Sequence, residues 1–356
     1  MPSAVQTLSV HTSPAYTVTV GAGLLPTVGA RVRDAVGECR IAVIADSAVA
    51  PLYLDTVCAC LRAAGFAVCS HVFPAGETHK NLTTLSELLE FLARSQLTRA
   101  DCVAALGGGV TGDMAGFAAA CYLRGIRYVQ LPTTLLAAVD SSVGGKTAVD
   151  LAAGKNLAGA FLQPSAVLCD TDCLKTLPPA VFADGAAEAI KTGVLAGDEL
   201  FSLFETGTLR TDPAAVIARC IAYKAGVVER DEREQGERKL LNLGHTVAHA
   251  IEKCSAYSIP HGHAVAAGLA IISRACASLG WAEEAVSARI LACLKQYDLP
   301  TLTSYSASQL AAAALADKKR AGDFITLVLP QRIGGCTLKK VPVTELEPII
   351  AAGLEG

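Results

Sequence analysis

Short β-rich runs alternate with helical runs through the first half of the chain, and this alternation constrains the fold more than any other feature. The β-rich runs lie at 16–20, 40–46, 66–73, 101–106 and 127–132. Helical runs at 24–36, 51–65, 81–96 and 113–123 separate them. Strands joined through helices of this length run parallel, because the chain crosses a face of the sheet before the next strand begins. We therefore predict a parallel sheet with helices on both faces.

The pattern changes near residue 175. Two prolines at 178 and 179, which suit the first turn of a helix, open a region that is amphipathic and helical nearly to residue 316. A short β pair at 324–329 and 336–341 follows. We predict an α/β domain over 1–175 and a mainly helical domain over 176–356, with the cleft between them as the default ligand site.

Composition and charge exclude several classes of protein. Of 356 residues, 52% are hydrophobic and 18% are charged, which is typical of a globular chain. The net charge of −3 gives no basic field to hold a nucleic acid or an anionic membrane. We find neither a signal-peptide pattern nor an apolar run of about 18 residues that would span a membrane. The 13 cysteines are scattered without C-x-x-C spacing, so we expect reduced thiols in a cytoplasmic protein.

A glycine-rich motif follows the fourth of these predicted strands. Gly107, Gly109 and Gly112 satisfy G-x-G-x-x-G between a strand and a helix, where backbone N–H groups can approach a diphosphate. The acidic residue expected about 20 positions later is missing. Asp46, at the end of an earlier strand, can instead accept hydrogen bonds from an adenosine ribose. The motif favours nucleotide binding, with a plain tight turn as the alternative.

Four of the seven histidines lie within residues 245–263, namely His245, His249, His261 and His263. His245 and His249 share a helix face at i, i+4. Thr246 replaces the glutamate that a zinc protease of the HExxH type requires. Glu188, in an otherwise apolar helix, is the best carboxylate to complete a metal site. The spacing does not choose among the four histidines, and satisfied structural histidines are the alternative.

Several cations lie in apolar or glycine-rich surroundings: Lys146, Lys155, Lys191, Lys224 and Arg238. If they converge, they suit a small polyanion that carries phosphate and carboxylate. For any single lysine, the alternative is an ordinary surface residue whose stem packs on apolar neighbours.

Taken together, these segments resemble the 3-dehydroquinate synthase family of the sugar-phosphate cyclases. The resemblance runs from about Asp46 to Leu329. It rests on an ordered series of motifs: GETHKN, GGGVTGDMAGF, YLRG, LPTTLLAAVDSSVGGKTAVD, GKNLAGAF, GAAEAIKTG, ERDEREQGERKLLNLGHTVAHAIE, HGHAVAAG and DKK. One such motif could arise by chance, whereas the nine in this order could not.

The resemblance implies a dehydroquinate synthase-like fold. Its Rossmann-like N-terminal domain binds NAD, and its mainly α-helical C-terminal domain binds substrate and one divalent metal, zinc or cobalt. The family's metal ligands fall on Glu188, His245 and His261, which leaves His249 and His263 outside the ligand set. Its NAD contacts fall on Asp46, Ala75, Gly76, Glu77, Thr78, His79, Lys80, Gly109, Val110, Thr111, Gly112, Asp113, Thr133, Thr134, Lys146, Lys155, Cys173, Leu174, Lys175 and Thr176.

The resemblance also implies the residues that meet the substrate. Catalytic roles fall on Asp140, Lys191, Lys224, Glu234 and His249. Further substrate contacts fall on Arg124, Lys146, Asn156, Arg238, Asn242 and one of Lys318 and Lys319. Lys146, Asn156 and His249 would hold a phosphate, while Arg238 and a lysine would hold a carboxylate. In the family, Arg124 reaches into the neighbouring subunit's site, which implies a homodimer.

The implied activity is that of a phosphate-eliminating lyase in the shikimate pathway, which leads to chorismate and the aromatic amino acids. The substrate is a phosphorylated sugar acid, 3-deoxy-D-arabino-heptulosonate 7-phosphate, and the products are 3-dehydroquinate and phosphate. Transient oxidation by NAD acidifies a neighbouring C–H, phosphate leaves by β-elimination, the ketone is reduced again, and an intramolecular aldol step closes the ring.

Three other interpretations are weighed against this one. A sister cyclase, such as 2-epi-5-epi-valiolone synthase or 2-deoxy-scyllo-inosose synthase, acts on a substrate without the carboxylate. A metal-dependent NAD alcohol or glycerol dehydrogenase shares the architecture but releases NADH stoichiometrically. A nucleotide-binding regulatory module without catalysis would tolerate loss of Glu188, Lys191 or His261, all of which are present.

Overall fold

A computed structural model describes residues 4–316 and 322–355. The chain forms two compact units: the first is Met1–Leu177 with Lys224–Glu232, and the second is Pro178–Tyr223 with Arg233–Gly356. The first unit is therefore discontinuous in sequence. The predicted domains, 1–175 and 176–356, stay a prediction, and they did not anticipate the return of Lys224–Glu232 to the first unit.

The first unit contains nine strands and four α-helices among its described residues. The strands are β1 (Gln6–Val10), β2 (Tyr16–Gly21), β3 (Arg40–Asp46), β4 (Ala67–Phe73), β5 (Cys102–Gly107), β6 (Arg127–Pro132), β7 (Lys146–Leu151), β8 (Gly154–Phe161) and β9 (Ala166–Asp170). The helices are α1 (Val28–Val36), α2 (Ala50–Ala63), α3 (Leu82–Arg94) and α4 (Gly109–Cys121). Seven strands form one sheet in the order β1-β2-β9-β6-β5-β3-β4, while β7 and β8 pair as a separate antiparallel hairpin.

The five central strands of the seven-stranded sheet are buried on both faces. All its pairings are parallel except that of β1 with β2. In β3, Ile41 and Val43 join the core with α1 and α2, whereas Ala42 and Ile44 join the core with α3 and α4. Because successive side chains of a strand point to opposite faces, a strand buried on both sides needs a continuous apolar run, as in RIAVIAD. The predicted parallel α/β architecture with helices on both faces is confirmed.

The second unit is mainly helical. It contains α5 (Pro179–Ala196), α6 (Asp198–Glu205), α7 (Thr208–Thr211), most of α8 (Pro213–Arg230), α9 (His245–Cys254), α10 (His261–Ser278), α11 (Glu284–Gln296), α12 (Ala307–Ala316), β10 (Phe324–Arg332), β11 (Gly335–Pro342) and α13 (Leu346–Leu354). From Lys224 onward, α8 belongs to the first unit. No helix in the described parts of the chain is long and apolar enough to cross a membrane.

Glycines bring three helices of the second unit into backbone contact. Gly262 of α10 lies so close to the Asp184 carbonyl of α5 that a Cβ atom would overlap it. Gly268 of α10 lies equally close to the Gly244 carbonyl, at the start of α9. Only a residue without a side chain fits at such approaches. As a result, α5, α9 and α10 meet near their functional side chains.

One predicted boundary is wrong. Helix α4 begins at Gly109, not at Asp113 as the sequence suggested, and Gly108 occupies its N-cap position. Glycines are weak helix formers, so the pattern placed them in the preceding loop. In the structure they are needed for packing, because a Cβ on Gly112 would lie 2.6 Å from Gln130 Oε1. The glycine motif thus forms the end of β5 and the first turn of α4.

Candidate active site

One carboxylate and two imidazoles converge in the second unit. Glu188 Oε1 lies 3.4 Å from His245 Nε2 and 3.1 Å from His261 Nε2. One donor atom from each residue lies within 4.8 Å of the others. The side chain of Glu188 is fully buried, whereas those of His245 and His261 are 12% and 32% exposed. Solvent therefore reaches the cluster from the side of the two histidines and not from the side of the glutamate.

The local sequence explains this convergence. His245 and His261 are the first residues of α9 and α10, so both rings stand at helix N-termini. The preceding Gly244 adopts a left-handed conformation (φ +78°), which a residue with a side chain adopts only at a cost, and Pro260 precedes His261. Glu188 lies among small residues of α5, including Ala186, Ala187 and Ala189, which let the neighbouring helices approach closely.

Hydrogen bonds at the other nitrogens orient the two rings. His245 Nδ1 lies 3.1 Å from the Leu243 carbonyl oxygen. His261 Nδ1 lies 3.4 Å from Glu252 Oε1. In both rings Nε2 is thereby directed toward Glu188. Glu252 was not predicted from the sequence, although its position on α9, seven residues after His245 and three after His249, places it on the same helix face.

Lys191 forms a buried ion pair with Glu188. Its Nζ lies 2.5 Å from Glu188 Oε2, and its side chain is 3% exposed. Burial raises the pKa of Glu188, but Lys191 and His245 outweigh it and hold that pKa well below its usual range. Burial lowers the pKa of His261, but hydrogen bonds to Glu188 and Glu252 raise it to about 10. Glu188 is thus an ionised carboxylate, available as a ligand.

This donor set fits a divalent metal. One carboxylate and two imidazoles are ligands that zinc and cobalt accept, with positions left for a substrate. A carboxylate buried this deeply is unfavourable unless it is paired or coordinated, and Glu188 is placed for both. The three ligands implied by the resemblance are the three residues that the structure brings together.

The remaining two histidines of the cluster region have different surroundings. The His249 ring is exposed, and its centroid lies 5.4 Å from that of His245 and 6.2 Å from that of His261. His263 instead pairs through Nδ1 with Asp184 Oδ1 at 3.0 Å. His249 therefore stands beside the three ligands, while His263 ties α10 to α5.

Three further predicted substrate residues of the second unit lie close in sequence. Asn242 donates from Nδ2 to Glu234 Oε1 at 2.6 Å. Arg238, between them, is 1% exposed and lies in the short 3-10 turn Glu237–Asn242. Burying a guanidinium is unfavourable unless acceptors face it, so this region is built to present polar groups.

In the first unit, the glycine motif has the features of a diphosphate site. Backbone N–H groups at the start of α4 have no partner within the helix, and the adjoining glycines have no side chains to cover them. A Cβ on Gly108 would lie 3.0 Å from Thr134 Cγ2, and one on Gly109 would lie 3.2 Å from Ser141 Oγ. Thr133 Oγ1 is buried without a hydrogen-bond partner among the described residues. An unpaired buried hydroxyl beside a helix N-terminus fits a bound nucleotide.

Asp46 is tied to this motif. Its Oδ2 accepts a hydrogen bond of 2.8 Å from Thr111 Oγ1 in the first turn of α4. Its Oδ1 accepts from the backbone N–H groups of Ala48 and Val49. The carboxylate is thus held at the end of β3, next to the glycine turn.

Lys80 links predicted NAD residues to a predicted substrate residue. Its Nζ lies 2.6 Å from Asp113 Oδ2 and donates to Asn156 Oδ1 at 2.6 Å. Burial lowers the pKa of Lys80, but Asp113 and Glu77 outweigh it and raise that pKa. A lysine can only donate, so the Asn156 amide nitrogen points away from Lys80 and is oriented to donate.

Asp140 and Lys224 form a second ion pair of the first unit. Lys224 Nζ lies 2.5 Å from Asp140 Oδ1 and 2.7 Å from the Asp140 carbonyl oxygen. Asp140 lies in a π-helical turn, Ala137–Ser141, and such turns are frequent at functional sites. Lys224 reaches Asp140 because the end of α8 belongs to the first unit.

The other predicted residues have more varied surroundings. Glu77 pairs with Lys155 at 3.4 Å, and Ser47 Oγ accepts a hydrogen bond from the Ala75 backbone N–H. Lys175 is 78% exposed and pairs with Asp172, outside the predicted set. Burial raises the pKa of the Cys173 thiol to about 12. Lys146 is exposed at the start of β7.

The remaining predicted positions lie in short turns or outside the described residues. Val110 lies in the first turn of α4, Gly76, Thr78 and His79 lie in or beside the short turn Glu77–His79, and Leu174 and Thr176 lie in the turn Thr171–Thr176. Lys318 and Lys319 lie outside the described residues.

Three predicted substrate residues have a strained backbone. Eight described residues other than glycine have positive φ angles, and three of them are Arg124 (+69°), Asn156 (+56°) and Glu234 (+58°). Left-handed conformations of such residues persist only where the surroundings impose them, and they cluster at active sites. This signal was not readable from the sequence.

Solved structures share this fold over nearly the whole chain. A structure of 2-deoxy-scyllo-inosose synthase with carbaglucose-6-phosphate, NAD+ and Co2+ matches 99% of this chain and 100% of that chain, with a TM-score of 0.86 at 25% identity. The 2-epi-5-epi-valiolone synthase of Streptomyces hygroscopicus subsp. jinggangensis, with NAD+ and Zn2+ bound, matches 99% of both chains, with a TM-score of 0.86 at 28% identity. The fold is that of the sugar-phosphate cyclase class.

Sequence comparison identifies the member of that class. The family models "3-dehydroquinate synthase N-terminal" and "3-dehydroquinate synthase C-terminal" match residues 70–184 and 185–320. The 3-dehydroquinate synthase of Pelobacter propionicus is 42% identical over 348 residues, which are 96% of each chain. This chain belongs to the 3-dehydroquinate synthase family.

Proposed function

We propose that this chain converts 3-deoxy-D-arabino-heptulosonate 7-phosphate to 3-dehydroquinate and inorganic phosphate, with NAD as a catalytic cofactor and one zinc or cobalt ion. The observation that carries the proposal is the buried Glu188 carboxylate, which faces His245 and His261 with one oxygen and Lys191 with the other. Such a cluster supplies a ligand set and a proton-transfer group at one place.

The two bound groups divide the chemistry. When bound, NAD would supply reversible hydride transfer and the divalent cation would supply Lewis-acid polarisation. Glu188, His245 and His261 would hold the cation. The first turn of α4 would bind the NAD diphosphate through its backbone N–H groups, and Thr133 Oγ1 would gain the hydrogen bond that it lacks among the described residues.

The chain's own residues would bind the anionic ends of the substrate. Lys80 orients the Asn156 amide so that its nitrogen donates, which suits a phosphate together with Lys146 and His249. Arg238 would hold the carboxylate. A lysine would assist it, and one of Lys318 and Lys319, which lie outside the described residues, would be a further substrate contact.

Proton transfers would involve three residues. Lys191, whose Nζ touches Glu188, would exchange protons near the cation. Lys224 is fixed by Asp140, and Glu234 is fixed by Asn242. Each of these contacts limits the positions that the transferring group can occupy, and such positioning lowers the barrier of a proton transfer.

We also propose a cytoplasmic homodimer. Arg124 is exposed at a left-handed turn, where its side chain can reach another subunit. Leu157 and Phe161 on β8 are 59% and 48% exposed and lie on the same side of the strand, which supports contact with a second copy. All 13 cysteines are free thiols, in keeping with a reducing compartment.

Phosphate release tests the proposed reaction. With catalytic NAD and cobalt, we expect phosphate release from the heptulosonate phosphate without accumulation of NADH, because the hydride returns in each turnover. A chelator should abolish the release, and added cobalt should restore it.

Two control reactions separate the alternatives. Accumulation of NADH without phosphate release would select a dehydrogenase. Equal turnover of a heptulose phosphate that lacks the carboxylate would select a sister cyclase, since the substrate carboxylate that we propose meets Arg238 would then not be needed.

A further inference from the structure

Glu252 is a buried carboxylate to which neither the sequence motifs nor the proposed chemistry gives a role. Its side chain is 1% exposed, and its Oε1 lies 3.4 Å from His261 Nδ1. A carboxylate is rarely buried unless its partners favour the charged form. On α9 it follows His245 by seven residues and His249 by three, so it faces the cluster and not the solvent.

His261 stands between two carboxylates and faces them with different nitrogens. Its Nε2 lies 3.1 Å from Glu188 Oε1, and its Nδ1 lies 3.4 Å from Glu252 Oε1. A neutral imidazole carries its proton on one ring nitrogen, and a cation bound on the Nε2 side would leave that proton on Nδ1, which faces Glu252. His245 has the same arrangement, with the Leu243 carbonyl oxygen at its Nδ1.

We propose that Glu252 is a positioning residue for the divalent cation: it accepts the Nδ1–H of His261 and thereby directs Nε2 of that ring toward the site shared with Glu188 and His245. The inference rests on the proposed function, because it assumes a cation at this cluster. Groups that hold a metal-binding histidine in this way set its tautomer and ring orientation, and their loss weakens metal binding about 10- to 100-fold.

A second arrangement must be distinguished from this one. His249, Glu252 and His261 also have ligand atoms within 4.8 Å of one another, so Glu252 could bind a second ion directly. His261 Nδ1 cannot serve both arrangements, because a nitrogen that carries a proton toward Glu252 has no lone pair for a metal. The two arrangements therefore differ in stoichiometry and in the ligand set of the bound ion.

Cobalt binding to the full chain tests the proposal. Glu252→Gln and Glu252→Met would be compared with the unchanged protein by chelator competition, by ion-to-protein stoichiometry and by the visible d–d spectrum of bound Co2+. We expect one ion per chain throughout and a dissociation constant raised about 10- to 100-fold in Glu252→Met. In Glu252→Gln the increase should be smaller, because the amide oxygen still accepts a hydrogen bond. At saturating cobalt the spectrum should be unchanged, since the ligands are the same.

Asp184→Asn is the matched control. Asp184 accepts a hydrogen bond from His263 Nδ1 at 3.0 Å. His263 lies on α10, as His261 does, but it is not in the cluster. This variant also converts the carboxylate of a carboxylate–histidine pair to an amide, and we expect it to leave the cobalt dissociation constant unchanged. Circular dichroism would establish that each variant is folded, and the isosteric Gln variant keeps the test available if Met is not tolerated.

Three results would overturn the inference. Unchanged cobalt affinity in both Glu252 variants would remove the positioning role. Two ions in the unchanged protein and one in the variants, or an altered spectrum, would make Glu252 a ligand. An equal loss of affinity in Asp184→Asn would indicate a general effect of helix packing. Failure of the proposed function looks different: the unchanged protein would bind cobalt yet release no phosphate.

Discussion

Glu188 lies fully buried in α5, and its two carboxylate oxygens face different partners. One oxygen faces the imidazoles of His245 and His261, and the other faces the Lys191 ammonium. One side chain thereby joins the proposed metal ligands to the lysine that we propose transfers protons. Replacing it should disturb metal binding and electrostatic balance together, and the two effects can be separated.

We expect Glu188→Gln to abolish cobalt binding and phosphate release. It should also lower the free energy of unfolding of the metal-free protein by about 3–5 kcal/mol, because breaking a buried ion pair from one side has this effect. The double variant Glu188→Gln/Lys191→Met should recover much of the stability and none of the metal binding. Denaturant unfolding and metal analysis measure the two properties. Full cobalt occupancy in Glu188→Gln would contradict the assignment.

Residue types alone predicted part of this site. Glu188 was recognisable because it interrupts an apolar helix, and the density of histidines at 245–263 marked the region. The choice among four histidines came from the family resemblance, because spacing along a helix does not tell which ring meets a residue of another helix. Glu252 was missed because a glutamate near a helix C-terminus looks like an ordinary surface residue until its burial is known.

At the level of elements, the start of α4 is where strand, glycine motif and helix meet. Gly109 is the first residue of the helix, and a Cβ there would lie 3.2 Å from Ser141 Oγ. A larger side chain would occupy the space in front of the backbone N–H groups that we propose bind the NAD diphosphate. The helix itself should still form.

We expect Gly109→Val to weaken NAD binding at least about 10-fold, because an anion at a helix N-terminus needs close access to the backbone. Isothermal titration calorimetry measures the affinity, and circular dichroism checks the fold. Gly226→Ala is the matched control, since a Cβ on this α8 glycine would make only an ordinary contact of 3.4 Å with Arg230 Nη1. Unchanged NAD affinity in Gly109→Val would contradict the assignment of the diphosphate site.

Most elements of the first unit were predictable from the sequence, whereas β1, β9 and the hairpin of β7 and β8 were not. The five predicted strands of the first half and the helices between them all occur, because apolar runs of five to eight residues separated by amphipathic helices leave few alternatives. The hairpin of β7 and β8 was not predicted. Its second strand, GKNLAGAF, contains two glycines and has no clear apolar alternation, so neighbours in space, not local preference, decide its conformation.

For the whole molecule, the proposed exchange of Arg124 between subunits can be tested by mixing inactive chains. Arg124→Ala and Glu188→Ala subunits should each be inactive alone. In a mixed dimer, one site would combine an intact Glu188 with the partner subunit's intact arginine. Random mixing of equal amounts should therefore restore about a quarter of the activity, because half the dimers are mixed and each holds one complete site.

Phosphate release measures this recovery, and size-exclusion chromatography with light scattering measures the oligomeric state. Lys191→Ala mixed with Glu188→Ala is the control. These two residues touch within one subunit, so no combination of chains completes a site. Absence of recovery in the Arg124 mixture, with mixed dimers present, would place the arginine at its own subunit's site.

The return of Lys224–Glu232 to the first unit has a consequence for how the polypeptide matures. A nascent chain that has emerged only as far as Leu177 lacks Lys224. The Asp140 turn then has no ammonium group to donate to its carbonyl oxygen and carboxylate, and it does not reach its final form. About fifty more residues must leave the ribosome first, although domains commonly fold in order of synthesis. For the same reason, an N-terminal fragment that ends near residue 177 would lack the ion pair of the Asp140 turn, even if its sheet folds.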